Sequence, residues 1–294
     1  KVVLDMMREI HRYFEFPKQN KMAVGLGGGH SGFTVAVLHL MNTESGFNVF
    51  VDTPKPESEA SKKGGAFRQS WGVQLIELQK YAEKGDENRI HFSSTEGHIP
   101  SAGDLQKLGI KLFVGVGHET TGATTYAEED VQNLLEWIDL DPVNHHAVID
   151  ATSTLGAMPW ADDVVQQVIE KCSLFMPFQK AIGGTAGYFI VSFTPGALKL
   201  VEKNVNNPAW AIPRQLKLAL PTDGQLPISG KKSLAAGPFY DPEKEQMTGG
   251  IINTFSTIAF AETTFGLLSS EKKVGSVRDL NKRSITNRAE VEQW

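Results

Sequence analysis

The sequence predicts an α/β fold built around a mostly parallel sheet. Three observations carry this. Short apolar runs alternate with segments of helical periodicity along the chain. The apolar run Met22–Val24 passes through a glycine-rich loop into helical residues 33–41. Residues 147–178 read as strand, helix, strand, the unit that sets two strands parallel.

Composition narrows the function classes. The 294-residue chain is 40% hydrophobic and 21% charged, an ordinary globular balance. Its net charge of −5 gives no global basic footprint for nucleic acid or an anionic membrane. Cys172 is the only cysteine, so no intrachain disulfide forms, and a reducing, cytoplasmic setting is expected. No apolar run reaches membrane-spanning length, and the start does not read as a signal peptide. The chain begins at Lys1 inside a helical pattern and stops at Trp294 inside another. A piece of a longer polypeptide is expected: residues 1–275 a large domain lacking its N-terminal segment, and 276–294 the start of a small C-terminal domain.

Residues 2–14 place apolar side chains at helical spacing, ending near Pro17. The loop Gly25–Gly32 follows the first strand, and its backbone N–H groups and the helix start form an anion cradle. Gly27, Gly29 and Gly32 satisfy G-x-G-x-x-G, with Asp52 closing the predicted strand 47–51, so a dinucleotide is one occupant. Another α/β phosphate loop, or a plain glycine turn, fits the same residues. Residues 54–65 read as a solvated loop, and 66–81 as a helix with Phe67 and Trp71 on one face. Strands are predicted at 89–92 and 111–116. The latter ends in His118-Glu119-Thr120-Thr121-Gly122, hydroxyls that either line a crevice or cap the chain.

Residues 128–138 are an amphipathic helix, 147–149 a strand ending in Asp150, 162–171 a helix and 173–178 the next strand. Lys180 follows, then a turn with Gly183, Gly184 and Gly187, then the apolar run 188–193. The two parallel strands deliver Asp150 and Lys180 to one crevice. Burial beside apolar walls would lower the lysine's pKa and free its amine to attack an aldehyde. A carboxylate and a lysine at one site suit pyridoxal phosphate, the acid holding the pyridine nitrogen protonated and the amine holding the aldehyde carbon. A structural ion pair, or a surface lysine on a hairpin, is the plain reading of the same pair. A helix is expected over 195–203 and a long Pro- and Gly-rich excursion or dimer arm over 206–250, with a short helix at 214–220. Residues 251–254 are followed by a long apolar helix over 258–268 and a charged helix over 276–294. His145 and His146 are adjacent, but no zinc-like spacing of ligands occurs.

In this order the motifs resemble the class V aminotransferases of the fold type I pyridoxal phosphate superfamily, and among them the phosphoserine aminotransferase type. The resemblance runs from about His11 to the C-terminus. It implies a three-layer α/β/α large domain with a mostly parallel mixed sheet. Phe178-Gln179-Lys180 resembles the family's Gln-Lys motif, which makes Lys180 the Schiff-base lysine and Gln179 a phosphate ligand. Asp150 and Thr152 match the pyridinium aspartate and a hydroxyl near the phenolic oxygen. Thr120 becomes a cofactor contact, Gly28-Gly29-His30-Ser31 the phosphate loop, with Gly29 and His30 as contacts, and Phe67 the ring-stacking aromatic. Asn253 and Thr254 match a pair that reaches the neighbouring subunit's phosphate, which implies a homodimer. The sequence departs from the pattern at His30, His118 and Phe255, and the family's substrate-binding histidine and arginines have no match in it. The resemblance implies ping-pong transamination between phosphoserine and 2-oxoglutarate in serine biosynthesis. An alanine:glyoxylate-type aminotransferase, a nicotinamide-dependent oxidoreductase using the glycine loop, and a non-catalytic pyridoxal phosphate-binding module are the alternatives.

Overall fold

The structure, a computed structural model, describes residues 1–41, 46–58, 66–79, 89–207, 210, 212–213, 215–218, 238–248 and 255–294, with backbone alone at 66–68 and 78–79. Among these, nine strands form one sheet. In chain order they are β1 (Lys21–Leu26), β2 (Asn48–Val51), β3 (Ile90–Phe92), β4 (Ile110–Val116), β7 (His146–Asp150), β8 (Ser173–Pro177), β9 (Tyr188–Phe193), β10 (Phe239–Asp241) and β11 (Gln246–Thr248). Across the sheet the order is β11-β10-β1-β9-β8-β7-β4-β2-β3. The run β3-β2-β4-β7-β8 is parallel throughout, and β9 is antiparallel to both β8 and β1. β1 therefore runs in the same sense as β8. A separate two-stranded ribbon pairs β5 (His118–Glu119) with β6 (Thr124–Thr125).

Strand residues alternate between two apolar layers, as the period of two requires. Ala147, Ile149, Leu174 and Met176 join the layer formed with α1 (Val2–Tyr13), α4 (Ala102–Lys107), α5 (Glu128–Leu140), α6 (Asp162–Lys171) and α8 (Thr257–Val274). Val148, Phe175, Phe189 and Val191 join the layer formed with α2 (Gly29–Leu40), α3 (Ala66–Gln79) and α7 (Pro195–Val205). The expected α/β/α sandwich is what forms. α9 (Val277–Glu292) closes the chain, its Arg278 Nε donating to Glu15 at 2.8 Å. No described helix is long and apolar enough to cross a membrane.

Three departures from the sequence reading have physical causes. β1 extends through Gly25, because a Cβ there would meet the Phe189 ring at 2.4 Å: the glycine belongs to the strand and lets that ring lie against it. Phe239–Asp241 and Gln246–Thr248 form a hairpin that adds two antiparallel strands beside β1, inside the stretch read as an excursion. The helix expected over 214–220 is a turn in its described part, where the Pro213 carbonyl accepts from the amides of both Leu216 and Lys217 at 2.9 Å. Residues 251–254 lie outside the described residues.

Candidate functional site

The parallel strands β4, β7 and β8 end side by side at Val116, Asp150 and Pro177. Because β1 runs in the same sense, its glycine turn opens at the same edge, where the Gly27 amide donates to the Gly187 carbonyl at 2.8 Å. Carboxyl ends of parallel strands point their unpaired groups and following loops into one crevice. Here it is a cavity of about 430 Å³.

Gly29, His30, Thr120, Asp150, Thr152, Gln179 and Lys180 all line this cavity, so most of the residues singled out in sequence meet at one place. Phe67 lies in α3, and its side chain is outside what the structure describes. Asn253 and Thr254 also lie outside the described residues. Trp71, one helical turn after Phe67, lines the cavity. His118, Val116 and Pro177 complete the wall with Gly28. The pairing of Phe67 and Trp71 on one helix face was the signal in the sequence for Trp71.

Asp150 is the chemical centre of the wall. It is buried at the end of β7; its Oδ1 accepts from the Thr152 amide at 2.9 Å and its Oδ2 from Trp71 Nε1 at 3.0 Å. Burial pushes its pKa up to about 6, against the pull of these donors. Trp71 is held flat on Phe33, ring centroids 4.4 Å apart and planes 6° from parallel, and His30 meets it edge-on at 4.8 Å. His30 Nε2 also hydrogen-bonds Ser70 Oγ at 3.1 Å. Thr120 Oγ1 pairs with Ser153 Oγ at 2.9 Å, which ties the loop after β4 to the loop after β7.

Lys180 sits in the turn after β8, whose form is set by glycines. Gly183 has φ +73° and Gly187 φ +104°, a region open mainly to glycine, and the amides of Gly183 and Gly184 return to the carbonyls of Lys180 and Phe178. The lysine lines the cavity but is exposed, and so is Gln179. This corrects the expectation of a lysine shut between apolar walls: Phe178 turns into the core and the next two side chains turn out.

The residues present fit pyridoxal phosphate. Thr152 Oγ1 is buried at the cavity beside the Asp150 carboxyl. Cβ atoms added at Gly28 and Gly29 would lie 4.0 Å from Gln179 Nε2 and 3.8 Å from Thr152 Oγ1, so bare backbone at the start of α2 faces two polar side chains. A nicotinamide dinucleotide fits poorly. Asp52 is fully buried, its Oδ2 accepting from the Val116 amide at 3.1 Å and, at very short range, from the Tyr126 hydroxyl, so it ties β2 to β4 and is not presented to a ribose. Among the described residues no group of three His, Cys, Asp or Glu forms a metal-ligand set.

No family model and no curated protein matches the chain. Solved structures do. Pyridoxamine-pyruvate aminotransferase from Mesorhizobium loti matches with a TM-score of 0.64 at 12% identity, covering 96% of this chain and 59% of its own. An alanine–glyoxylate aminotransferase from Nostoc sp. matches at 0.61 and 12% identity, covering 96% and 62%. A phosphoserine aminotransferase from Cytophaga hutchinsonii matches at 0.57 and 12% identity, covering 96% and 63%. The chain thus spans about three-fifths of each of these three proteins, and over that span it has their fold.

Proposed function

We propose that this chain is the cofactor-binding part of a pyridoxal phosphate-dependent aminotransferase of class V, with phosphoserine and 2-oxoglutarate as its substrate pair. One observation carries the reading: a single cavity gathers an amine, a buried carboxyl, a buried hydroxyl and bare glycine backbone at a helix start. The ordered motifs of the sequence support the phosphoserine type. The alternative alanine:glyoxylate type shares the same cavity chemistry.

Gly28, Gly29 and Gln179 would receive the phosphate, whose charge the α2 N-terminus favours. Asp150 would face the pyridine nitrogen. Placed beside a pyridinium it is drawn back to its carboxylate form, and the Trp71 and Thr152 donors already point at that form. When bound, pyridoxal phosphate supplies an aldehyde that captures amino groups and a ring that accepts the electron pair released at the substrate's α carbon. Lys180 would hold the aldehyde carbon, yield it to the incoming amino acid, and move the proton from the α carbon with its Nζ. Thr120 and Ser153, linked to each other, would fix the rim on the side of β4. A homodimer is part of the proposal, and the outward apolar side chains of α8, Ile258 at 70% and Phe265 at 74% exposed, support it.

The test is the visible spectrum of the protein supplied with pyridoxal phosphate, borohydride reduction and peptide mapping. The expected result is a visible band and a reduced adduct on Lys180, with the band and adduct lost in Lys180→Ala. Addition of phosphoserine or glutamate should bleach the band to that of the amine form, and alanine should not. An adduct on any other lysine would sink the assignment. Bleaching by alanine alone would move the substrate class to the glyoxylate type, and an adduct with no half-reaction would leave a binding module.

A further inference from the structure

A second cavity, of about 310 Å³, opens at the opposite end of the sheet, where β2, β4 and β7 begin. Its wall carries Lys111 at the start of β4, His146 at the start of β7, and Lys199 and Lys203 on successive turns of α7. Among the described residues its lining holds no carboxylate, in a chain whose net charge is −5. Phe47 and Leu200 supply an apolar floor.

His146 gives this pocket its chemistry. The two adjacent histidines have opposite fates. His145 Nδ1 donates to the Trp137 carbonyl at 2.6 Å and its ring stacks on Trp137 at 4.5 Å. His146 is only 6% exposed, and its ring has no hydrogen-bond partner among the described residues while lining the cavity. The nearby Asp141 is engaged elsewhere, accepting from Asn144 Nδ2 at 2.9 and 3.1 Å. Lysine ammonium groups and an imidazole N–H around an apolar floor make a donor set for a compact, multiply charged oxyanion on a short stem.

We propose that this pocket binds a small phosphate ester, its phosphate taken by Lys111, Lys199 and His146 and its stem lying against Phe47 and Leu200. The site is independent of the Lys180 cavity. His146 and Asp150 are the first and last residues of β7, four strand steps or about 13 Å apart.

The test is a titration of the full chain, with and without pyridoxal phosphate, using inorganic phosphate and glycerol 3-phosphate, with glycerol as the uncharged control. Binding is read from the imidazole NMR signals of His146, assigned through His146→Gln. Phosphate bound near Lys180 would not move these signals, so the outcome does not depend on the cofactor proposal. The expected result is a saturable shift with a Kd of about 1 mM or tighter for glycerol 3-phosphate, none with glycerol, and at least about tenfold weaker binding in Lys111→Gln/Lys199→Gln. Unmoved His146 signals, or unchanged affinity in a double variant whose circular dichroism matches the parent, would overturn the proposal.

Discussion

Asp150 and Trp71 form a pair whose worth depends on pH. The folded state raises the pKa of Asp150 to about 6 from an ordinary 3.8, so its contribution to stability is greatest below 3.8 and is lost as pH rises through 6. Above that point the protein holds a buried carboxylate, to which the Trp71 indole and the Thr152 amide donate. Trp71→Phe keeps a ring on Phe33 and removes that donor. A hydrogen bond to a charged group is worth about 1.5–3 kcal/mol and one to a neutral group about 1. Urea unfolding without cofactor should therefore show the variant losing about 0.5–2 kcal/mol more at pH 8 than at pH 5, the cost of the smaller ring being common to both. Equal losses would show that the indole does not serve the carboxylate. The same residues mark where sequence reading stops. Asp150 was legible as a crevice residue because the strand–helix–strand unit brings it to the same sheet edge as Lys180. Asp52 looked alike in sequence, and only the register of β2 against β4 shows that it bonds the Val116 amide.

At the scale of elements, the junction of α8 and α9 shows how much one short signal can specify. Gly275 leaves α8 with φ +98°, and Ser276 then starts α9 with a reciprocal cap: its Oγ accepts from the Asp279 amide at 3.3 Å, and Asp279 Oδ2 accepts from the Ser276 amide at 2.9 Å. The cap aims α9 at the loop that follows β7. Asn281 Oδ1 accepts from the Met158 amide at 3.1 Å, and Ser284 Oγ donates to the Gly156 carbonyl at 3.1 Å. Ser276→Ala should lower the unfolding free energy by about 1 kcal/mol, read as a fall in the urea midpoint at constant slope. No change would mean that tertiary contacts alone hold the helix start. Helices and long strands of this kind were legible from periodicity. The β10–β11 hairpin was not, because each strand has three residues, too few for a period, and its stability comes from pairing with β1, a partner distant in sequence. Lys180 divides in the same way. Its position after β8 followed from the apolar run and the glycines, while its exposure depends on how Phe178 packs against Tyr188 and Phe260.

For the whole molecule, opposed titrations decide the response to acid. His39 is fully buried in α2, its Nδ1 donating to the Val35 carbonyl at 2.6 Å and its Nε2 accepting from the Leu218 amide at 3.0 Å, and burial lowers its pKa to about 4. His146, buried at the second cavity, is lowered to about 4 for the same first reason. Both are depressed below the ordinary 6.5, so the stability they confer is complete above 6.5 and is lost as pH falls toward 4. Asp150 acts in the opposite sense between about 6 and 3.8, regaining stability as it protonates. Two histidines moved from 6.5 to about 4 outweigh one carboxyl moved from 3.8 to about 6. The histidine loss also begins at a higher pH than the carboxyl gain. Protonating His39 carries a further cost, because an Nε2–H cannot accept from the Leu218 amide, and the link from α2 to that residue breaks. The urea midpoint of the cofactor-free protein should fall steadily from pH 7 to pH 4.5, by the equivalent of a few kcal/mol. In His39→Gln, which no longer titrates, the fall should be shallower even though the variant is less stable at pH 7. A midpoint that rises between pH 7 and 5 would mean that Asp150 dominates and that the two rings are already solvated in the native state.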